Sequence, residues 1–384
     1  MSASKVDRRT FLLAAATAAA GVAAGCTGAA GSAGSADEAG SAESAGVAVD
    51  ATDESTVEEL EEAIEDAGYA VAMITDVGGV NDQSFNQLAW EGLQQFEQET
   101  GLPVSYFESA EGADGADYAG SLEVAVEMGN TLVWGIGYAT ADAVAAAAEE
   151  YGNVSFAVID NAFDEPASNL TGVTFRAQEA CFAVGYIAAR CTATGRLGFV
   201  GGVSSDALDA FEYGFRAGVA WAGAQDGAEA QVAAAYAGSF DDESAGKTAA
   251  TALYEGGCDI VFHAAGNAGN GVIEAAVEAG ALVIGVDDDQ YSLAPENMLS
   301  SALKRVDEAV CEVSTQAANG EAIGGANIEL GATEGAVGIS EHHDLMDEEV
   351  YEAALALIEL IKDGDLVPPV DGVEYQQFVA ELSA

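Results

Sequence analysis

From Tyr69 onward, short and almost continuously apolar runs alternate with longer stretches whose apolar residues recur at helical spacing. Apolar strands separated by helices are typical of a parallel sheet that is covered on both faces. The alternation therefore predicts an α/β fold made of doubly wound parallel sheets. The predicted strands are 69–74, 103–107, 131–135, 155–159, 172–175, 196–200, 231–236, 259–264 and 281–286. The predicted helices are 84–100, 117–129, 140–150, 178–193, 206–223, 242–256, 270–279, 301–319 and 347–363.

The strand pattern divides into two similar halves around the long helix predicted at 178–193. Four or five strands precede this helix, about four follow it, and residues 195–202 repeat the character of the first strand. Two such lobes joined by several crossings form a hinge with a ligand cleft between them. The expected boundaries are 69–175 with about 301–325 for the first lobe, and 176–300 with about 326–384 for the second.

The amino terminus indicates export and membrane anchoring. Arg8 and Arg9 precede an apolar run of about fifteen residues, which is too short to span a bilayer because a span needs about 20. Small residues then lead to Cys26 in a pattern that resembles a lipobox with alanine where leucine is commoner. We predict a twin-arginine lipoprotein signal peptide at 1–25 and a lipid on Cys26, with an unlipidated secretory signal as the alternative.

The segment 26–68 is expected to be a flexible acidic tether that follows the lipidated cysteine. Its first half is glycine, alanine, serine and acid without large apolar side chains, so it cannot bury a core. Residues 58–67 form either a short acidic helix or more tether. The body of the protein is therefore expected on the extracytoplasmic face of the cell membrane.

The chain carries 65 acidic residues against 11 basic ones, for a formal charge of −54. This excess excludes nucleic acid as a partner, because phosphate binding needs lysine and arginine. It favours solubility in concentrated salt, where the Debye length falls to roughly 3 Å and self-repulsion is screened. We therefore interpret the charge as a halophilic adaptation. In so acidic a chain, a lysine beside a cleft indicates a binding site more strongly than an aspartate does.

No motif in the sequence indicates catalysis, a metal or a cofactor. The chain lacks a Walker motif, a G-x-S-x-G elbow and an H-E-x-x-H pattern. The aspartates at 287–289 could bind a divalent cation, but one inward and two solvated aspartates is the favoured interpretation. The cysteines after Cys26 match no zinc or C-x-x-C spacing and are expected to be buried thiols or to include one bridge. They are Cys181, Cys191, Cys258 and Cys311.

The loop at 75–86 follows the first predicted strand and opens a helix. It contains two glycines, Asp76, Asn81, Asn86 and the aromatic Phe85. In open α/β sheets, ligands bind at the carboxyl ends of the strands. The loop is therefore expected to offer hydrogen-bonding side chains and one flat apolar surface to a polar ring.

Other predicted strands end in polar residues of the same kind. Asp160 and Asp287 each follow a strand directly, and a Gly/Asn loop at 266–271 follows another. Asp76 and Asp160 are expected to face ligand, with helix capping or turn chemistry as the alternative. Lys304 is expected to pair with Asp287 and to donate to a ligand hydroxyl, with an exposed helix lysine as the alternative.

The chain resembles the basic membrane protein family, the substrate-binding lipoproteins of ABC transporters that are similar to the purine nucleoside receptor. The motifs that carry the resemblance occur in order from Tyr69 to the carboxyl terminus. They include TDVGGVNDQSFNQLAWEG, FAVID, GVTFRAQEACFAVGYIAA, FEYGFRAGV, VFHAAGNAGNGVIEAA, IGVDDDQY and SALKRVD. The resemblance implies a type I periplasmic-binding-protein fold that closes over a nucleoside.

In that family the base stacks between aromatic rings, and an aspartate and a lysine hold the ribose. The opposite stacking wall is here either Phe211 or Phe262. Asn267 stands where the family usually has a second glycine, which leaves the preferred base open. The other implied ligand-binding residues are Phe85 for stacking, Asp76, Asn81, Asn86 and Asp160 for the base edge, Asp287 and Lys304 for the ribose, and Gly266 as a backbone neighbour.

The leading hypothesis is a lipid-anchored receptor, without enzymatic activity, that captures nucleosides and delivers them to an ABC permease and its ATPase. The alternatives are a receptor for another ribosyl or sugar ligand, an exported hydrolase that cleaves a ribosyl bond, and a sensor that passes ligand state to a membrane kinase. Binding would close the two lobes, and the permease would recognise the closed form.

Overall fold

A computed structural model of the protein describes residues 47–48, 54–108 and 118–383. The predicted signal peptide at 1–25, Cys26 and most of the tether lie outside the described residues. The strands are β1 (Val47–Ala48), β2 (Val71–Ile74), β3 (Val104–Phe107), β4 (Leu132–Gly135), β5 (Ser155–Ile159), β6 (Leu170–Phe175), β7 (Arg196–Gly201), β8 (Gln231–Tyr236), β9 (Ile260–Ala264), β10 (Leu282–Asp287), β11 (Met298–Lys304), β12 (Ala326–Leu330) and β13 (Val337–Ile339).

Helices cover both faces of the sheets, as the apolar character of the strands requires. They are α1 (Glu54–Ala67), α2 (Phe85–Thr100), α3 (Tyr118–Glu127), α4 (Ala141–Glu150), α5 (Ala177–Cys191), α6 (Asp206–Asp226), α7 (Glu243–Glu255), α8 (Ala268–Ala279), α9 (Val306–Ala318), α10 (Glu348–Lys362) and α11 (Gly372–Leu382). Short 3₁₀ turns lie at Tyr138–Thr140, Gln290–Leu293 and Ala332–Glu334.

The strands form two sheets, one for each lobe. The first has the order β1-β3-β2-β4-β5-β6-β12 and is parallel throughout. The second has the order β13-β11-β10-β9-β7-β8, and only β13 runs antiparallel to its neighbour. Each sheet reverses its strand order after its first strand, between β2 and β4 and between β7 and β9. Such switch points are where open α/β sheets bind ligands.

The chain passes between the sheets three times: after β6, after β11 and after β12. The strand Met298–Lys304 pairs in the second sheet and Ala326–Leu330 pairs in the first, which differs from the boundaries expected for the segments 301–325 and 326–384. The helix predicted at 301–319 begins only at Val306. Small residues in this segment fit a helix by propensity, but pairing with β10 and β13 on both sides makes it a strand.

Helix α1 corrects part of the predicted tether. Residues 54–67 are helical, and the buried side chains of Leu60 and Ile64 pack into the core of the first lobe. The acidic-helix alternative for 58–67 therefore holds.

Helix α5 forms the centre of the second lobe. Thirteen of its fifteen residues are buried, so it is covered on every side. It crosses α6 so closely that a Cβ on Gly185 would collide with the carbonyl of Phe215, and one on Gly218 with the carbonyl of Phe182. Within the described residues the four cysteines are free thiols.

Candidate functional site

A cavity lies between the carboxyl ends of the two sheets. Both lobes contribute to the wall. The lining residues are Asp76, Gly78, Asp82, Phe85, Asn86, Gly137, Tyr138 and Asp160 from the first lobe, and Ala207, Leu208, Phe211, Phe240, Ala264, Ala265, Gly266, Asn267, Val286, Asp287 and Lys304 from the second.

Asp82 fixes the loop that carries Phe85. Its buried carboxylate accepts hydrogen bonds from the backbone N–H groups of Ser84, Asn86 and Gln87, at 3.0, 2.9 and 3.1 Å. These are unpaired donors at the start of α2, where a carboxylate also interacts favourably with the helix dipole. Burial raises the pKa of Asp82, and these hydrogen bonds oppose the rise. The cap sets the direction in which α2 begins and therefore the position of the Phe85 ring.

Within the described residues, Asp76 uses one carboxylate oxygen for hydrogen bonds and leaves the other free. Its Oδ1 accepts from Asn86 Nδ2 at 2.8 Å and from the N–H of Gly78 at 3.1 Å. A Cβ built on Gly137 would lie 3.1 Å from Asp76 Oδ2 and 3.5 Å from Phe85 Cε1. The free oxygen and the edge of the Phe85 ring therefore border the same part of the cavity. Burial raises the pKa of Asp76 to about 6, although the hydrogen bonds from Asn86 and Gly78 act to lower it.

Lys304 lies among aromatic rings and is 3% exposed. Its Nζ is 4.6 Å from the centroid of Phe85, 5.1 Å from that of Phe175 and 5.7 Å from that of Phe211. These distances are within the range of cation–π attraction. Phe85 comes from the first lobe and Phe211 from the second, and both line the cavity beside the ammonium group.

The partner of Lys304 is Asp160, which corrects the predicted pairing with Asp287. Lys304 Nζ donates to Asp160 Oδ2 across the cleft, so the ion pair joins β11 of the second lobe to the end of β5 in the first. Asp287 is too far from the ammonium group for a direct ion pair, although the charge of Lys304 still lowers its pKa. Sequence reasoning missed this because the partner of a strand-end lysine depends on how far the lobes close.

Asp287 is nearly buried and joins the two lobes. Its Oδ2 accepts from Ser84 Oγ at 2.7 Å, which links the end of β10 to the loop before α2. Burial raises the pKa of Asp287 to about 6, while Lys304 and the Ser84 hydrogen bond lower it. The second oxygen accepts no hydrogen bond within the described part of the chain and can accept from a ligand.

Two further hydrogen bonds cross the cleft beside Ser84. Gln290 Nε2 donates to the carbonyl of Gln83 at 3.0 Å, and Asn270 Nδ2 donates to the carbonyl of Asp82 at 3.4 Å. The loop before α2 is therefore bonded to three elements of the opposite lobe when the cleft is closed.

The backbone is strained at the same place. Gln83, Asp160 and Asp287 are the non-glycine residues with positive φ in the described ranges, at 54°, 63° and 64°. Left-handed backbone costs free energy in such residues and is concentrated at functional sites. All three lie at the cleft, which supports its assignment as the site.

We expect Ser84→Ala to weaken the closed form. The substitution removes the hydroxyl that donates to Asp287 and leaves a buried carboxylate oxygen without a hydrogen-bond donor. We expect the free energy of unfolding to fall by about 1 kcal/mol. Denaturant unfolding in concentrated salt measures this cost. Ser244→Ala, at an exposed site on α7, is the matched control and should cause no change. An equal effect of both substitutions would contradict the role given to Ser84.

Eight of the ten predicted site residues line the cavity: Asp76, Phe85, Asn86, Asp160, Phe211, Gly266, Asp287 and Lys304. The other two predicted positions are corrected by the structure. Asn81 is exposed and lies outside the cavity, because the loop turns its neighbour Asp82 inward instead. Phe262 is fully buried in β9 between Phe199 and Phe215, with centroid distances of 5.6 and 5.2 Å.

Several lining residues were not predicted. Tyr138 follows the end of β4, so the strand-end rule that found Asp76 could also have found it. Phe240 follows β8 by four residues, and a longer loop gives no such signal. The aspartates at 287–289 point to different partners: Asp289 interacts with His342, and only Asp287 lines the cavity. No cluster suited to a metal ion is present in the described residues.

Two similar α/β lobes that meet over a cavity lined with aromatic and ionic side chains define a two-lobed solute-binding protein. Residues 69–367 match the profile of the Bmp family, described as "ABC transporter substrate-binding protein PnrA-like". The chain belongs to this family, as the motifs indicated, and the family places it among the substrate-binding proteins of ABC transporters.

The relatives include a bacterial antigen and a basic membrane protein. The chain is 37% identical over 322 residues to the CD4+ T-cell-stimulating antigen of Listeria monocytogenes, covering 78% of this chain and 88% of the relative. It is 35% identical over 317 residues to basic membrane protein A of Borreliella burgdorferi, covering 81% and 91%. In the part of the chain that the structure describes, no helix is both long and apolar enough to cross a membrane.

Solved structures support the fold. A solute-binding protein of an ABC transporter system from Aeropyrum pernix K1 has a TM-score of 0.73 at 26% identity, covering 82% of this chain and 97% of that one. A solute-binding protein from Conexibacter woesei has a TM-score of 0.62 at 21% identity, covering 78% and 98%, and shares the fold. The predicted periplasmic-binding-protein fold is confirmed.

Proposed function

We propose that this protein is a lipid-anchored extracytoplasmic receptor that captures nucleosides in the cleft and delivers them to an ABC permease. The observation that carries the proposal is that Phe85 and Phe211, from opposite lobes, line one cavity together with the carboxylate of Asp76 and the ammonium group of Lys304. A flat heterocycle fits between two aromatic faces, and its polar edge needs hydrogen-bonding partners.

The base is proposed to stack on Phe85, with Phe211 as the opposite wall. Asp76 Oδ2 borders the same space as the Phe85 ring edge, so it is placed to accept from an N–H group of the base. Base–aromatic stacking contributes about 1–3 kcal/mol per base.

The ribose is proposed to lie towards Asp287 and Lys304. The free oxygen of Asp287 can accept from one hydroxyl, and the ammonium group of Lys304 has protons beyond the one that it donates to Asp160. Hydrogen bonds of neutral hydroxyls to charged groups contribute about 1.5–3 kcal/mol each. A sugar alone would satisfy this end of the cavity but would leave the rings of Phe85 and Phe211 without a flat partner.

The charge of the cavity favours a ligand without phosphate. Four lining carboxylates, those of Asp76, Asp82, Asp160 and Asp287, face a single lining cation, Lys304. An added phosphate would meet net negative charge in a poorly hydrated space. We therefore expect nucleosides to bind and the corresponding nucleotides to be excluded.

The proposal also includes a membrane anchor and a high-salt environment. The lipid on Cys26 would hold the receptor at the cell surface, and the segment before α1 would serve as its tether. The net charge of −54 suits concentrated salt, so binding is best measured in molar salt.

Calorimetric titration of the mature protein tests the function. The panel is guanosine, inosine, adenosine, cytidine and uridine, with ribose and a nucleoside monophosphate for comparison, in molar salt. We expect saturable heat with at least one nucleoside and none with ribose or the monophosphate. Absence of heat with every nucleoside would overturn the proposal, and saturable binding of ribose alone would favour a sugar receptor. Release of free base during incubation would indicate a hydrolase instead.

Nucleoside affinity is expected to fall in acid. A ligand that donates hydrogen bonds to Asp76 and Asp287 binds their ionised forms. Binding therefore lowers the pKa of each of these carboxyls, which is about 6 in the protein without ligand. Asp82 and Asp160 raise the pKa of both carboxyls through charge repulsion, and Lys304 lowers that of Asp287. Affinity should be constant above pH 7 and lower at pH 5 by about tenfold for each carboxylate used. Titrations between pH 5 and 8 measure the effect, and a flat profile would contradict both contacts.

A further inference from the structure

The chain contains two Asn-X-Ser/Thr triplets, and the structure places them in opposite surroundings. They are Asn153-Val154-Ser155 and Asn169-Leu170-Thr171. In exported proteins this triplet is the acceptor sequence for N-linked glycans, which are attached to the asparagine amide. The sequence does not distinguish the two triplets. Whether each can be modified depends on how exposed and how hydrogen-bonded its asparagine and its hydroxyl are.

Asn153 lies in an exposed turn between α4 and β5. The N–H of Val154 donates to the carbonyl of Tyr151 at 3.0 Å, which closes the turn. The side chain of Asn153 is exposed and makes no hydrogen bond to the described part of the chain. Ser155 begins β5 and is half-buried, and its hydroxyl has no hydrogen-bond partner among the described residues. Both polar side chains of this triplet are therefore available to a transferase.

Asn169 and Thr171 are both engaged within the protein. The Nδ2 of Asn169 donates to three carbonyls at the end of α4 and in the turn that follows it, those of Ala148, Tyr151 and Val154, at 3.0, 3.3 and 2.9 Å. Thr171 is fully buried in β6, and its hydroxyl donates to the carbonyl of Ala326 at 2.6 Å. The nitrogen that would carry a sugar already uses its protons. The second triplet is therefore closed to modification in the folded protein.

The order of folding and export makes this difference decisive. The twin-arginine signal predicted at 1–25 belongs to a route that carries proteins across the membrane already folded. A glycosyltransferase on the outer face would therefore meet the folded chain. In that chain the amide of Asn153 is accessible and the amide of Asn169 is not.

Asn153 also lies away from the ligand cleft. It precedes the amino end of β5, whereas Asp160, which lines the cavity, follows the carboxyl end of the same strand. A strand of this length spans roughly 16 Å. A glycan on Asn153 is therefore attached at the opposite edge of the sheet and leaves the cleft open to ligand.

We propose, resting on the extracytoplasmic location proposed above, that Asn153 is an N-glycosylation site and that Asn169 is not. The donor is an oligosaccharide linked to a polyprenyl phosphate. A bond forms between Asn153 Nδ2 and C1 of the first sugar as the bond between C1 and the phosphate oxygen breaks. The phosphate leaves with the bonding electrons, and one amide proton passes to solvent.

Mass spectrometry of the protein purified from the membrane fraction of its own cells tests the site. A protease that cuts before aspartate separates the two asparagines, because it releases residues 142–159 with Asn153 and residues 164–205 with Asn169. We expect the first peptide to carry the mass of an oligosaccharide and the second to be unmodified. A glycan on Asn169 would contradict the argument from the folded state. Unmodified 142–159 from the membrane fraction would overturn the site alone, whereas protein confined to the cytoplasm would overturn the location as well.

Two variants assign the sugar to the triplet. Asn153→Gln removes the acceptor, and Ser155→Ala keeps the asparagine but removes the hydroxyl of the acceptor sequence, so both should lose the oligosaccharide mass. Asn319→Gln, at an exposed asparagine outside any such triplet, is the matched control and should keep it. All three should bind nucleoside as the wild type does, so loss of nucleoside binding and loss of the glycan are separate outcomes. An oligosaccharide that persists on Asn153 in Ser155→Ala would contradict recognition of the triplet.

Discussion

Lys304→Met is expected to abolish most ligand binding and to destabilise the closed protein. Lys304 is the only basic side chain among the described cavity-lining residues, and it is 3% exposed. Without its ammonium group the cleft keeps the carboxylate of Asp160 unpaired beside that of Asp287. Breaking one partner of a buried pair costs about 3–5 kcal/mol, and we expect the lower end because Asp160 is partly exposed. Because methionine keeps much of the packing volume of lysine, the loss of affinity and stability measures the effect of removing the charge.

Calorimetry and denaturant unfolding measure the two effects of Lys304→Met. Nucleoside affinity should fall by about 10- to 150-fold, the equivalent of one hydrogen bond to a charged group. Lys247→Met is the matched control, because Lys247 pairs with Glu274 and Glu278 on the surface of the second lobe. The control should leave affinity unchanged. Wild-type affinity in Lys304→Met would show that the ligand does not contact this lysine.

Phe85→Ala is expected to weaken nucleoside binding by about 1–3 kcal/mol, or roughly 5- to 150-fold, because the base loses its stacking surface. The ring is half-buried and borders the open cavity, so stability should change less than affinity. Titration of the variant with its preferred nucleoside measures the effect.

Phe163→Ala is the control for Phe85→Ala. Phe163 is half-buried in the same lobe but does not line the cavity. It should lower stability without a change in affinity. Equal losses of affinity in both variants would indicate a general loosening of the lobe and not the loss of a stacking face.

The fold was largely predictable because the strands are buried on both faces and so appear as continuous apolar runs. Each of the nine predicted strands is present to within two residues at either end. Residues 301–304 of the strand Met298–Lys304 were predicted as the start of a helix because the residues of this strand have no strong strand preference. Its two neighbouring strands determine its structure, and long-range pairing cannot be derived from local composition.

The position of the site was predictable, but its bonding was not. The strand-end rule located Asp76, Asp160 and Asp287 because a parallel sheet brings the ends of its strands to one edge. The roles of Asn86 and Lys304 required the structure. Asn86 Nδ2 donates to both Asp76 and Asp82 within its own loop, and the choice of Lys304 between two carboxylates depends on distances of a few ångströms across a closed cleft.

The misplaced residues have local causes. Asn81 and Asp82 are neighbours in an irregular loop, and the preference of the α2 N-terminus for a carboxylate turns Asp82 inward. Phe262 lies in a strand whose two faces are both covered, so its nearness to the cleft in sequence does not expose it. Phe211 is on a helix that begins at the cleft, and its ring reaches the cavity.

A crystal structure of the protein grown with the nucleoside that gives saturable heat in the titration tests the central claim most directly. We predict a base that stacks on Phe85 with Phe211 as the opposite wall, its polar edge towards Asp76 and its ribose beside Asp287 and Lys304. Nucleoside density elsewhere on the protein, or a cleft that stays empty at saturating nucleoside, would contradict the account.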